Sequence, residues 1–429
     1  MAALALADWD QSAAYGAALL DLLRKVTTVD GSILRPCYGE GEQRAHDLMA
    51  QAARELDLDV RVDSAGNLIM TLPGSDRLAP GWMTGSHLDA VPDGGNYDGA
   101  AGVVAGLAVV HAMRRAGFVP RADLAVVAFR AEEGSSWFSG PHKSHFGSRA
   151  MLGQLSQQEL SEACSLADGR LLHDILADAG FDPDRIAPGQ PLLDLARVSA
   201  FVELHIEQGP VLVERGLPVG IVSGIRGTLR ARNARCDGTY AHSGAVPREY
   251  RHDALLAAAQ LALALESQWD DWLAAGRDVV CTLGRFMTDP GRHSLTKVPG
   301  EVQFTIDVRS EDPTLLTQAR GFLERSALEI GARRGVRFAL GALDIGAPAL
   351  MDTVLQDDLR TLAEVQGIAS MTLASGAGHD AANFALAGIP SAMIFVRNDH
   401  GSHNRDEAMD PDDFASGARL LAALLIKHA

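Results

Sequence analysis

Apolar positions recur at helical spacing over Ser12–Leu23 and again over Glu42–Leu56, predicting two amphipathic helices early in the chain. β-prone runs follow at Leu58–Val62 and Leu68–Leu72, and Gly81–Ser86 predicts a strand that ends at a polar loop. Ala100–Met113 is small and apolar almost throughout, as a helix with a densely packed face requires. Asp123–Phe129 carries the unbroken apolar run of a buried strand. Helix and strand alternate, so the pattern predicts an α/β core with polar residues at strand ends, where open sheets place ligands. Met151–Asp194, rich in Leu, Asp and Gly, predicts surface helices and turns with a scaffolding role.

A second pattern begins after the polar cluster Ile206–Pro210. β-prone runs at Leu229–Arg235, Val279–Phe286 and Val302–Val308 accompany helical candidates at Asp253–Trp269 and Pro313–Glu329, predicting a discrete β-rich and helical module. The expected organisation is a first part of the core over 1–212, an inserted domain over 213–330, and a return to the core over 331–429. That return would comprise Asp352–Val365, Ser391–Val396 and a terminal helix Asp412–Ile426.

The 429 residues agree with more than one folding unit. With 47% apolar residues the chain is not disordered, and a formal charge of −17 argues against nucleic acid as a partner. No run approaches the roughly 18 apolar residues that cross a membrane, and MAALALADWD lacks the basic start of a signal peptide, so a cytoplasmic location is expected. Cys37, Cys164, Cys236 and Cys281 are too scattered for a zinc cluster or a disulfide frame. Any metal ligands must be His, Asp or Glu.

Four polar segments offer such ligands. GSHLDAVPDGGNYDG holds His87, Asp89, Asp93 and Asp98; taken alone, it reads equally as a hydrogen-bonded loop. In FRAEEG, after a predicted strand, one of Glu132 and Glu133 can hold a metal while the other handles a proton; as an isolated pair it is more often a charged surface. FVELHIEQGP supplies Glu203, His205, Glu207 and Gln208, and GSHNRDE supplies His403. A set of His87, Asp98, Glu133, His205 and His403 has the nitrogen and oxygen chemistry of zinc, cobalt, nickel or manganese.

GSHLDAVPDGGNYDG, AEEG, ELHIEQGP, AHSGAVP, SGAGHDA and GSHN, in this order across nearly the whole chain, resemble the binuclear metal peptidase-like superfamily (M20), in its amidase, hydantoinase and carbamoylase branch. The resemblance implies an open, mostly parallel-sheet catalytic α/β domain interrupted by a smaller α/β lid and dimerisation domain. It implies two divalent metal ions held by His87, Asp98, Glu133, His205 and His403, with Asp98 bridging, Asp89 orienting His87 and Glu132 as general base. Glu132 would take a proton from metal-bound water, which then attacks an amide or ureido carbonyl.

The same resemblance implies a homodimer in which His242, in AHSGAVP, reaches the opposing subunit's site and donates to the developing oxyanion. Gln208, Arg230, Thr296, Arg309 and His379 are the implied substrate contacts, with Arg309 suited to a carboxylate. Thr296 stands where the family pattern has asparagine, and Arg230 lies in a GIRGTLR context that departs from allantoate-hydrolysing relatives. SSWFSGPHKSH and RNDHGSHNRDE depart too, leaving Trp137 and Phe138 either to widen an apolar contact or to pack beneath the loop. The leading expectation is hydrolysis of an N-carbamoyl L-amino acid or related ureido acid. Allantoate, ureidoglycolate and N-acyl amino acids are alternative substrates, and a catalytically silent metal-binding dimer is the alternative of another class.

Overall fold

A computed structural model describes residues 9–140 and 144–428. The first eight residues of MAALALADWD lie outside this range, as do Pro141, His142 and Lys143 of the departing loop. The described chain forms two compact units, one of Met1–Ser223 with Leu350–Ala429 and the other of Gly224–Ala349.

The larger unit is built on a nine-stranded sheet. Its centre is parallel: Ser391–Val396 pairs with Val198–Ile206, which pairs with Gly81–His87, which pairs with Leu124–Phe129. Leu68–Leu72 and Asp59–Val62 continue one side in antiparallel fashion, and Val219–Ile225 adds antiparallel to Ser391–Val396 on the other. The expected α/β core is present, and its sheet is mixed, with a parallel heart and antiparallel margins.

The parallel strands are buried along most of their length because helices cover them. Ala100–Arg115 is buried nearly end to end, and its glycines allow the closest approach: a Cβ on Gly102 would lie 2.2 Å from the Leu204 carbonyl oxygen. Trp9–Thr27 and Pro411–His428 pack with it around Leu23, Val109, Phe414 and Leu421. The 146–194 region carries short helices around Phe138, Phe146, Leu160 and Leu176, and the Phe138 and Phe146 rings meet edge to face. Phe138 therefore packs beneath its loop. Trp137 donates its indole N–H to the Ala90 carbonyl at 2.9 Å.

The smaller unit is a six-stranded antiparallel sheet centred on Gly227–Asp237 and Glu301–Ser310. Helices Ala254–Ala274 and Pro313–Arg334 bury Leu261, Leu265, Leu315 and Leu323 against it. Asp253 and Asp312 cap their N-termini, accepting backbone N–H groups of the first turn. Its limits differ from the expected 213–330. Val219–Ile225 belongs to the large sheet through its pairing with Ser391–Val396, and Arg337–Ala339 and Leu343–Gly346 pair with Gly227–Asp237. Both boundaries move because distant strands claim the segments.

Candidate metal centre

His87 ends the strand Gly81–His87, Glu132 and Glu133 follow Leu124–Phe129, and His205 is the penultimate residue of Val198–Ile206. These strands are parallel neighbours, so their C-terminal ends share one edge of the sheet. Asp98 precedes the buried helix Ala100–Arg115, and His403 comes from the loop after Ser391–Val396. Gly99 makes the approach of Asp98 possible. Its φ is +67°, and a Cβ there would lie 2.5 Å from the His87 ring.

The five segments converge on Asp98. Its Oδ1 lies 3.1 Å from His205 Nε2 and 3.5 Å from His87 Nε2, while its Oδ2 lies 3.3 Å from His403 Nε2. Glu133 Oε1 is 2.8 Å from His403 Nε2. Two ligand groups result, His87–Asp98–His205 and Asp98–Glu133–His403, each with donor atoms within 4.8 Å of one another. Each group takes a different oxygen of Asp98.

The hydrogen bonds show that this cluster fits cations. His205 Nδ1 pairs with the Ile206 carbonyl at 2.8 Å and its Nε2 accepts the Gly99 N–H at 3.2 Å, which assigns the proton to Nδ1. His87 Nδ1 faces the Asp89 carbonyl at 3.1 Å, leaving its Nε2 lone pair toward Asp98 in the same way. Asp98 Oδ1 receives no hydrogen bond from the described residues although fully buried. Lone pairs pointing at one another in a buried site require a positive charge between them.

The titration behaviour has the same origin. Burial would raise Asp98, but the imidazoles of His205, His403 and His87 clustered around it, when charged, hold it well below the usual carboxylate range. Asp98 and Glu133 push His403 up to about 10 against the effect of burial. The adjacent acids diverge: burial, with Glu132 and Asp98, raises Glu133 to about 7, whereas His145 and His87 overcome burial and hold Glu132 low. Glu132 Oε2 stands 3.9 Å from His87 Nε2, outside both ligand groups.

Surrounding residues lock the ligands in place. Asp89 accepts the backbone N–H groups of Glu132 at 3.1 Å and Glu133 at 2.8 Å, and the Cys37 thiol donates to it at 3.1 Å. Glu407 accepts the N–H groups of Tyr97 and Asp98, and Ser402 Oγ bridges Glu407 Oε2 and Asp98 Oδ2 at 2.6 and 2.7 Å. The buried Glu42–Arg130 pair fixes the turn before the two acids, with Glu42 also accepting the Ala131 N–H. Sequence reasoning missed Cys37, Glu42, Ser402, Glu407 and His145. Ser402, Glu407 and His145 lie within the quoted motifs, yet nothing in their spacing pointed to these contacts.

Among the implied substrate contacts, Gln208 donates to Asp98 Oδ2 at 2.9 Å. His379 is buried, stacks edge to face on His205 at 4.4 Å and meets Ser375 Oγ at 2.9 Å. Burial, reinforced by the neighbouring His205, drives its pKa well below the ordinary value. His242, Arg230, Thr296 and Arg309 all belong to the smaller unit. There Arg309 Nη2 and Arg230 Nε lie 2.8 and 3.5 Å from the same Asp307 oxygen, and exposed His242 pairs across strands with Lys297, beside Thr296.

A mixed α/β sheet carrying a His/Asp/Glu metal-binding cluster at its parallel strand ends defines a metal-dependent hydrolase. The sequence model of Peptidase family M20/M25/M40 matches residues 83–427, and the chain belongs to that family. It is 37% identical over 392 residues to the N-carbamoyl-L-amino acid amidohydrolase of Geobacillus stearothermophilus, covering 91% of this chain and 92% of that one. It is 31% identical to the allantoate amidohydrolase of Escherichia coli K12, covering 92% and 91%. The crystal structure of a hydantoinase/carbamoylase family amidase from Burkholderia ambifaria superposes with a TM-score of 0.85 at 31% identity, over 96% of each chain. These likenesses put the chain in the amidohydrolase branch of the family.

Proposed function

We propose that this enzyme hydrolyses the ureido C–N bond of an N-carbamoyl L-amino acid or a related ureido acid. The observation that carries the reading is Asp98 shared between two ligand groups, with the carboxylate of Glu132 beside them and outside both. His87 and His205 would hold one ion and Glu133 and His403 the other, with Asp98 common to both; zinc, manganese, cobalt and nickel suit this donor set. Bound ions supply polarisation of the carbonyl and acidification of water at neutral pH.

The residues of the chain do the rest. Glu132 accepts a proton from the attacking water and returns it to the departing nitrogen. The water oxygen joins the carbonyl carbon, one C–N bond breaks, and the carbamate left on the other nitrogen collapses, so that carbon dioxide, ammonia and the amino acid are released. Arg309 would receive the substrate carboxylate through two parallel N–H groups, and Gln208, Arg230, Thr296 and His379 would be the further substrate contacts. His242 donates to the developing oxyanion from the partner in a homodimer. The outward apolar face of Ala254–Ala274, with Leu256, Leu263 and Leu273 half exposed or more, supports self-association. A cytoplasmic location belongs to the same reading.

The identity to the Geobacillus relative favours N-carbamoyl amino acids, and that to the Escherichia coli relative keeps allantoate as the second reading. A metal-replete screen of N-carbamoyl L- and D-amino acids, allantoate, ureidoglycolate and N-acyl amino acids, following ammonia and amino-acid release separately, tests both. Release of amino acid with ammonia from the N-carbamoyl L forms is expected. Turnover of N-acyl substrates alone would refute the ureido assignment.

A further inference from the structure

The two oxygens of Glu132 face different groups. Oε2 is the one nearer His87, and Oε1 lies 2.7 Å from His145 Nε2. The two atoms are in direct polar contact, and both side chains are mostly sheltered, His145 at 20% and Glu132 at 8% exposure, so solvent screens the contact little. The function proposed above gives His145 no role.

From this juxtaposition we infer that His145 is a positioning residue for Glu132, holding one carboxylate oxygen so that the other faces the water it deprotonates. The inference rests on the assignment of Glu132 as the base. A carboxylate with no second partner beside a cationic centre turns both oxygens toward it and becomes a ligand instead of a base. His145 prevents that turn by engaging the far oxygen.

The backbone holds His145 at this distance. Three consecutive N–H groups, of His145, Phe146 and Gly147, donate to the carbonyls of Glu132, Ala131 and Arg130 at 2.9, 3.1 and 2.9 Å. The imidazole is therefore stitched to the segment whose acid it touches. His145 itself sits at φ +58°, a left-handed conformation that non-glycine residues adopt at a cost. Gly378 faces the ring, and a Cβ there would lie 3.1 Å from His145 Cε1, tight enough to push the imidazole.

The test compares H145A, H145Q, E132Q and E132Q/H145A as full-length, metal-loaded enzymes on whichever ureido substrate the wild type turns over. H145A should lower kcat about 10- to 100-fold with KM, bound metal and Tm little changed, since a base displaced by about 1 Å costs that much. H145Q, which offers an amide N–H in place of Nε2, should recover part of the loss. In the E132Q background, H145A should have no further effect. An unchanged kcat in H145A, a raised KM at constant kcat, metal loss parallel to the kcat loss, or no recovery in H145Q would each overturn the positioning role. Full turnover by E132Q would instead remove the base assignment itself, whatever H145A does.

Discussion

Asp89 Oδ2 accepts the backbone N–H of Glu133 at 2.8 Å, while Asp89 Oδ1 accepts that of Glu132 and lies 3.3 Å from His87 Nδ1. One buried carboxylate thus ties the end of one central strand to the turn after its neighbour and sets the direction of the paired acids, while the Asp89 backbone carbonyl faces His87 Nδ1 at 3.1 Å. Asp89→Asn replaces an acceptor with an NH2 group and leaves one backbone N–H opposite a donor. Metal affinity should fall about 10- to 100-fold. Competition against a chromophoric chelator measures this, and wild-type affinity in D89N would contradict the role.

The two acids and the shared aspartate should separate in their effects. Glu132→Gln keeps a side chain of the same shape that cannot take a proton, so metal content should stay while kcat falls about 100-fold or more. Asp98→Ala removes an oxygen from each ligand group, so metal content and turnover should fall together. Metal analysis beside steady-state kinetics distinguishes the two, and full metal occupancy in D98A would contradict a shared ligand.

Metal removal should make stability depend on pH. In the metal-free protein Asp98 and Glu133 push His403 up to about 10, above its unfolded value of about 6.5. A folded-state pKa raised in this way contributes stability that is complete below about 6.5 and is lost as pH rises through about 10. The Tm of chelator-treated protein should therefore fall between pH 7 and pH 10. Metal-loaded protein should fall less, because the ion takes the place of the proton. Scanning calorimetry reads both, and a metal-free Tm that rises over this interval would contradict the charge balance described.

Arg309 and Arg230 both approach Asp307, which holds them on neighbouring strands of the smaller unit. Arg309→Lys keeps the charge and loses the planar fork, so KM for carboxylate substrates should rise about tenfold while matched carboxamides change little. Equal changes for both substrate series would argue against a carboxylate contact.

Much of the catalytic unit was legible in the sequence because its signals are local. Ala100–Met113 and Asp123–Phe129 are apolar at nearly every position, as elements at the covered heart of a sheet domain can be; both formed, within a residue or two. The inserted unit was legible as a module but not in its limits. Val219–Ile225 has the same apolar character whichever sheet it joins, and its partner Ser391–Val396 lies far along the chain.

The sequence by itself determined the family, through the order of its motifs, and the kinds of donor atom that could gather. The tertiary structure decided which oxygen of Asp98 serves which ligand group and which acid stands apart from them. It also decided that His145, Glu407 and Cys37 stand against these groups. The reason is physical: helix and strand periodicity is written between near neighbours, whereas a charge cluster depends on separations of a few ångströms between residues hundreds of positions apart.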